Sequence, residues 1–221
     1  MSDDDKRLAA EAALGEVQDG MLVGLGTGST VAFLIRALGE RVRGGLGIEA
    51  VATSIASARA AEAVGIRVRD FAEVARVDLT IDGADEIDAW LHAIKGAGGA
   101  MLREKVIAAA STRMVVIADG SKRVAAIGAA KLPVEVLPFA RAFVTARLEA
   151  LGAAVVLRDG VTDNGNVILD ARFGAISDPA KLAAAIDAVP GALGHGLFLR
   201  EVDAAYVASA GTVELIERGE G

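Results

Sequence analysis

Val77-Asp78-Leu79-Thr80-Ile81-Asp82-Gly83-Ala84-Asp85-Glu86 passes from a largely apolar run straight into acids. A buried strand delivering polar groups to the edge of a sheet reads this way, and open α/β sheets hold ligands beyond the carboxyl ends of their strands. Lys95-Gly96-Ala97-Gly98-Gly99 and Arg103-Glu104-Lys105 follow. Paired carboxylates, a lysine, two glycine turns and a further carboxylate thus fall within residues 82–105, the candidate chemical centre.

Upstream, residues 5–19 carry Leu8, Ala9, Ala12, Ala13 and Val17 at helical spacing, with Asp5 placed to cap the helix. Met21 to Leu25 reads as a buried strand. It enters Gly26-Thr27-Gly28-Ser29-Thr30 and then a helix with Val31, Leu34, Ile35 and Leu38 on one face. Strand, glycine turn, helix is the local architecture of a phosphate cradle, because unpaired N–H groups and the helix dipole favour an anion there. Ser29 stands where the dinucleotide fingerprint needs its third glycine, and the lysine of a P-loop is missing. A loop for a single phosphate fits, and so does an ordinary tight turn with a hydroxyl cap.

Further strands are expected at Ile48–Thr53, Ile66–Asp70, Val77–Ile81 and Met114–Ala118, the last ending at Asp119-Gly120-Ser121-Lys122. Ser54 and Ser57 open the helix after Ile48–Thr53, and Ser57 reads as a cap. Alternating strands and helices predict a mostly parallel sheet covered on both faces. The pattern then changes: strand Pro133–Leu137, helix Phe139–Leu151, strands Ala154–Leu157 and Val167–Arg172 with an Asn164-Gly165 turn between them, helix Pro179–Val189, strand Leu197–Leu199. This β-α-β-β-α-β order is ferredoxin-like. The expected fold is therefore α/β, a Rossmann-like domain over 1–128 plus 203–221 with a small α+β domain inserted at 129–202. Strands Ala204–Ala208 and Thr212–Ile216, joined at Ala210-Gly211, are free to return to the main sheet.

The 221 residues suffice for a sizeable core, built from Ala, Val, Leu and Ile because aromatics are only 4%. A net charge of −7 argues against a nucleic-acid surface, though a local site can still take an anion. With no cysteine, disulfides, thiolate metal sites and cysteine nucleophiles are excluded. Met1-Ser2-Asp3-Asp4-Asp5 lacks an apolar core and is not expected to be a signal peptide; no apolar run suits a membrane helix, so a cytoplasmic protein is the default.

In the centre itself, Asp82 and Asp85 flank a glycine turn that can bring both to one rim, suited to sugar hydroxyls or acid–base work. A calcium loop counted from Asp78 fails, because Thr80 and Ala89 occupy ligand positions. Lys95 before Gly96-Ala97-Gly98-Gly99 can neutralise an oxyanion on a backbone that approaches closely. Glu104 alone would read as a first-turn dipole partner; its spacing from the two loops marks it as functional. His92 and His195 are isolated, and His195 reads as structural. Lys122 suits either a phosphate contact or the surface.

Together these stretches resemble ribose-5-phosphate isomerase of the A type. The resemblance runs in order through Gly24-Leu-Gly-Thr-Gly-Ser-Thr30, Asp82-Gly-Ala-Asp-Glu-Ile87, Lys95-Gly-Ala-Gly-Gly-Ala100, Arg103-Glu-Lys-Val-Ile-Ala108, Asp119-Gly-Ser-Lys122 and Val161-Thr-Asp-Asn-Gly-Asn166. Each is weak alone; in series they are specific. The resemblance implies interconversion of ribose 5-phosphate and ribulose 5-phosphate in the non-oxidative pentose phosphate pathway, with no cofactor or metal, in a homodimer or homotetramer. It implies that Thr27, Gly28, Ser29 and Thr30 line the substrate loop, and that Asp82, Gly83, Ala84 and Asp85 form an acidic loop holding sugar hydroxyls and assisting ring opening. It further implies that Lys95, Gly96, Ala97 and Gly98 lie beside the reacting carbons, that Glu104 accepts the proton, and that Lys122 binds substrate. The family usually has glycine at Ala97, so an extra methyl stands there, a strain if that position needs positive φ. A sugar-phosphate sensor that binds without reacting and an amino-sugar-phosphate deaminase are the alternatives. The first lacks a DNA-binding segment here; ammonia release would mark the second.

Overall fold

The computed structural model describes residues 3–219; residues 1–2 of the acidic N-terminal stretch and 220–221 of the C-terminal segment lie outside it. The chain opens with helix α1 (Asp3–Ala13), which ends in a 3-10 turn at Leu14–Glu16, earlier than the apolar spacing predicts. Asp5 sits inside this helix instead of capping it. Strand β1 (Leu22–Leu25), α2 (Ser29–Arg43), β2 (Glu49–Ala52), α3 (Ile55–Ala63), β3 (Arg67–Val68) and β4 (Val77–Asp82) follow. On α2 the predicted stripe of Val31, Leu34, Ile35 and Leu38 is buried.

Next come β5 (Glu86–Ile87), β6 (Ala93–Ile94), α4 (Met101–Ala109) and β7 (Ser111–Asp119). The remainder is β8 (Leu132–Val136), α5 (Arg141–Ala150), β9 (Ala154–Leu157), β10 (Val167–Arg172), α6 (Pro179–Asp187), β11 (Ala192–His195), β12 (Leu197–Phe198), β13 (Ala204–Ser209) and β14 (Thr212–Glu217). The fold is α/β, as the sequence pattern requires. Its main sheet has seven strands in the order β14-β13-β7-β4-β1-β2-β3, all pairs parallel except the terminal hairpin. That hairpin turns at Ala210 and Gly211, both with positive φ, as a tight two-residue turn demands.

A second sheet has the order β11-β8-β10-β9, antiparallel throughout, with α5 and α6 as its crossovers. Counted within its own β-α-β-β-α-β run, this is the ferredoxin-like order, fourth strand beside the first. Its fourth strand is Ala192–His195, however, and not the predicted Leu197–Leu199. Leu197–Phe198 instead pairs with Ala93–Ile94 in a three-stranded sheet β12-β6-β5. Strands two residues long show no period, so β5 and β6 leave no sequence signal and the sheet that Leu197–Phe198 joins is not legible.

The main sheet positions the site through its order. From β1 the chain steps outward to β2 and β3, then returns to place β4 on the other side of β1. The loops after β1 and β4 therefore part at a topological switch point, where α/β sheets open a crevice. Close packing beneath it depends on Gly24, since a Cβ there would lie 2.0 Å from Thr80 Oγ1 and 2.9 Å from Ile107 Cγ2 of α4. Gly24→Ala is expected to cost about 1–3 kcal/mol through overpacking, read as a lower urea midpoint. A loss under about 0.5 kcal/mol, the range of harmless surface changes, contradicts this packing.

Candidate active site

At the end of β4, Asp82 is fully buried and organises two loops. Its Oδ1 accepts from the N–H of Thr27 (3.0 Å) and of Gly83 (2.7 Å). The approach is so close that a Cβ on Gly26 would lie 2.0 Å from that oxygen. Its Oδ2 lies 2.9 Å from Lys95 Nζ, and the same ammonium lies 3.1 Å from Glu104 Oε2 and donates to the Gly83 carbonyl. Apart from this ion-pair contact, neither carboxylate oxygen has a hydrogen bond of good geometry. Lys95 is only 2% exposed and Glu104 3%, and the ring of Phe198 closes over Lys95 at 5.4 Å.

One cation thus serves two buried carboxylates. Asp82 also takes two backbone donors, whereas the Glu104 carboxylate has, among the described residues, only its ion pair with Lys95. Burial, followed by the neighbouring Asp82 charge, raises Glu104 from 4.5 to about 8, against the opposing pull of Lys95. For Lys95, burial works against the charge, but Asp82 and Glu104 outweigh it and hold the ammonium above the ordinary lysine range. Glu104 has the surroundings of a carboxyl able to hold and release a proton near neutral pH.

The pair opens onto a cavity of about 190 Å³, lined by Thr27, Gly28, Ser29, Thr30, Gly83, Ala84, Asp85, Lys95, Gly96, Ala97, Gly98, Glu104, Asp119 and Lys122 among others. All the predicted site residues converge here except one. Asp82 lies behind the wall with its oxygens on protein groups, and Asp85 is the acid of that loop that faces the cavity. Asp85 Oδ2 accepts from Ala97 N at 2.9 Å, tying the acidic loop to the glycine loop. Lys122 has no ion pair or hydrogen bond among the described residues.

Thr27 turns its hydroxyl inward, 2.7 Å from Thr53 Oγ1 and donating to Ser54 Oγ at 2.9 Å. Ser54 is the cap of α3, and Ser57 is not: its hydroxyl donates to the Gly26 carbonyl at 2.6 Å. Gly28 precedes α2 with φ +118°, a conformation that favours glycine and leaves the first N–H groups of that helix at the cavity. Ala97 is not among the residues with positive φ, so its methyl brings no backbone strain. The cations flanking Glu104 point elsewhere: Arg103 donates to Asn164 Oδ1 and the Asp163 carbonyl, Lys105 to the Leu197 carbonyl. Glu86 accepts from Gly128 N and Ala130 N and is structural. His195 is buried, accepts from Leu197 N, and lies far below the usual histidine range, at about 4, chiefly through desolvation.

Lys6 of α1 also lines the cavity and was missed. It is buried, with Nζ 3.4 Å from the exposed Asp3, and its helical register placed it among apolar neighbours with nothing in the local sequence to mark it. Among the described residues no group of three or more His, Asp or Glu side chains is arranged to hold a metal ion.

The sequence model of ribose 5-phosphate isomerase A (phosphoriboisomerase A) matches residues 49–212. Ribose-5-phosphate isomerase A of Sphingopyxis alaskensis is 53% identical over 221 residues, covering 98% of this chain and 97% of that protein. The chain belongs to the ribose-5-phosphate isomerase A family. The Gloeobacter violaceus member is 50% identical over 96% of this chain and 95% of its own. Among solved structures, the Neisseria gonorrhoeae family member superposes with TM-score 0.94 at 38% identity, covering 100% of this chain and 99% of that one. A ribose-5-phosphate isomerase in complex with phospho-erythronic acid gives TM-score 0.94 at 35% identity, covering 99% and 100%.

Lys95→Met removes the sole cation between two buried carboxylates. It is expected to destabilise the fold by about 3–5 kcal/mol near neutral pH and above. Without the ammonium the two carboxylates repel each other unopposed; protonation of Glu104 relieves this, so the deficit shrinks as pH falls. Equal stability of variant and wild type at about pH 8 by urea unfolding contradicts the arrangement.

Proposed function

We propose that this chain interconverts D-ribose 5-phosphate and D-ribulose 5-phosphate through an ene-diol, with Glu104 moving the proton. The carrying observation is the buried Lys95 bridge between Asp82 and Glu104 in the wall of a cavity sized for a five-carbon phosphate ester. Family membership supports the substrate. So does the phosphorylated four-carbon sugar acid bound by the solved relative, because a carboxylate resembles the charge of an ene-diolate.

The phosphate lies at the α2 N-terminus, with Ser29, Thr30, Lys122 and Lys6 around it, where the dipole and two ammonium groups favour a dianion. Asp85 receives sugar hydroxyls and assists ring opening. Asp82 acts through Lys95 and the Thr27 loop as a positioning residue. Glu104 removes the C2 proton. Charge then grows on the C1 oxygen, which Lys95 and the N–H groups of the glycine loop stabilise. The O2 hydroxyl proton passes to O1 within the bound ene-diolate, and Glu104 returns the carbon-bound proton to C1 as C2 becomes the ketone carbonyl. The raised proton affinity of Glu104 makes it a stronger base toward carbon than an exposed carboxylate.

We further read the chain as 1–128 plus 203–221 carrying this site, with 129–202 as an inserted unit, and as a homodimer or homotetramer of the cytoplasm. Phe139 at 95% exposure and Val156 at 64%, the latter on the unpaired edge strand β9, support an oligomer. No helix among the described residues is long and apolar enough to cross a membrane. The sensor and deaminase readings are not favoured, since near-full-length relatives carry the isomerase name.

Ribulose 5-phosphate should form from ribose 5-phosphate with chelator-treated protein; no turnover overturns the reading. Glu104→Gln should bind sugar phosphate yet lose kcat by roughly 10²–10⁴-fold, the usual contribution of a general base. Near-normal turnover removes Glu104 from its role. Because the free protein holds Glu104 protonated below about 8, kcat/KM should rise with pH up to that region. A flat profile from about pH 6 to 9 contradicts a raised base.

A further inference from the structure

The loop Gly96–Gly99 separates two cavities. Ala97 and Gly98 line both the one holding Glu104 and a neighbouring one of about 270 Å³ walled by residues 158–163. Arg158, just past β9, crosses from the small sheet to grip this loop. Its Nη1 donates to the carbonyls of Gly96 (2.9 Å) and Ala97 (3.1 Å). Behind it, Asp170 of β10, 6% exposed, fixes the guanidinium through Nε at 3.0 Å and through Nη2. Lys131 also donates to Asp170, at 2.6 Å, on the Oδ2 that Arg158 Nε shares.

The grip determines what the loop shows the substrate. In a planar trans peptide the N–H points opposite to the C=O, and no peptide among the described residues is cis. The Gly96–Ala97 peptide is held at both ends, its carbonyl by Arg158 and its N–H by Asp85. The Ala97–Gly98 peptide is held at its carbonyl alone. Its N–H, on Gly98, has no partner among the described residues and points away from Arg158. A cation on the carbonyl side also polarises the peptide and strengthens that N–H as a donor.

We propose that Arg158, docked on Asp170, is a positioning residue for the isomerisation: it fixes the Gly96 and Ala97 carbonyls so that the free Gly98 N–H faces the cavity as a donor to the oxyanion. This rests on the isomerase reading above. The inserted sheet therefore acts on the chemistry without contributing a group that touches the sugar. Lysine cannot replace the arginine, since one ammonium cannot hold both carbonyls and Asp170 with the same planar fork.

The test compares steady-state isomerisation by wild type, Arg158→Lys, Arg158→Ala and Lys131→Met. Wild-type turnover tests the reading beneath; variant-to-wild-type ratios test this inference. Arg158→Lys keeps the charge on Asp170, and its kcat should fall at least about tenfold, short of the 10²–10³ for deleting an oxyanion donor outright. KM for ribose 5-phosphate should stay within about threefold, because the loss falls on the transition state. Added ethylguanidinium should restore part of kcat to Arg158→Ala. Lys131→Met, which also strips a cation from Asp170 but leaves the loop alone, should keep kcat within about twofold. Folded Arg158 variants with kcat within twofold of wild type overturn the proposal. So does a loss that Lys131→Met matches, or one that moves KM and kcat together and resists rescue.

Discussion

One ammonium group between two buried carboxylates is the constraint on which the site depends. Lys95 cannot leave without stranding Asp82 and Glu104, and it cannot neutralise both. Charge is held best where the donors are, so the carboxylate with fewer donors takes up a proton instead. Asp82 is committed to the N–H groups of Thr27 and Gly83, so the proton goes to Glu104. An unequal supply of hydrogen bonds thus leaves Glu104 as the group of the cluster that holds and releases a proton near neutral pH. The resulting strain is held in place by the sheet: Asp82 ends β4, Lys95 follows β6, and Glu104 begins α4.

The sheet order brings these groups to one crevice, and small residues let them close. Gly26 admits Asp82 against the β1 loop, and the hydroxyls of Thr27, Thr53, Ser54 and Ser57 lock that loop to α3. From the other side the small sheet reaches across with Arg158, Asp163 and Asn164. Thus each wall of the cleft is braced by an element remote in sequence. Such preorganisation lets binding energy go to the transition state.

Much of this was legible in the residues. The parallel strands announced themselves through apolar runs ending in polar loops, and the inserted α+β order through its turn chemistry. Long periodic elements such as α2 were read to the correct face. What escaped was short or indirect. β5, β6 and β12 are too brief to show alternation, so Leu197–Phe198 was assigned to the wrong sheet. The burial of Asp82 was not legible, because sequence shows that a carboxylate ends a strand but not which way it faces. Lys6 was invisible because its relevance comes from packing α1 beside a loop far along the chain. Arg158 lies outside every stretch quoted for the family resemblance, and only coordinates reveal what its guanidinium holds.

The most direct test of the unequal sharing around Lys95 is the titration of Glu104 itself. Carbon-13 NMR of glutamate-labelled protein, with the resonance assigned by its disappearance in Glu104→Gln, reads that carboxyl without any assay of turnover. The account predicts a single midpoint far above the ordinary glutamate range, at about 8 in the ligand-free protein. A midpoint near the usual 4.5 would show that Lys95 neutralises Glu104 fully, and would contradict the account.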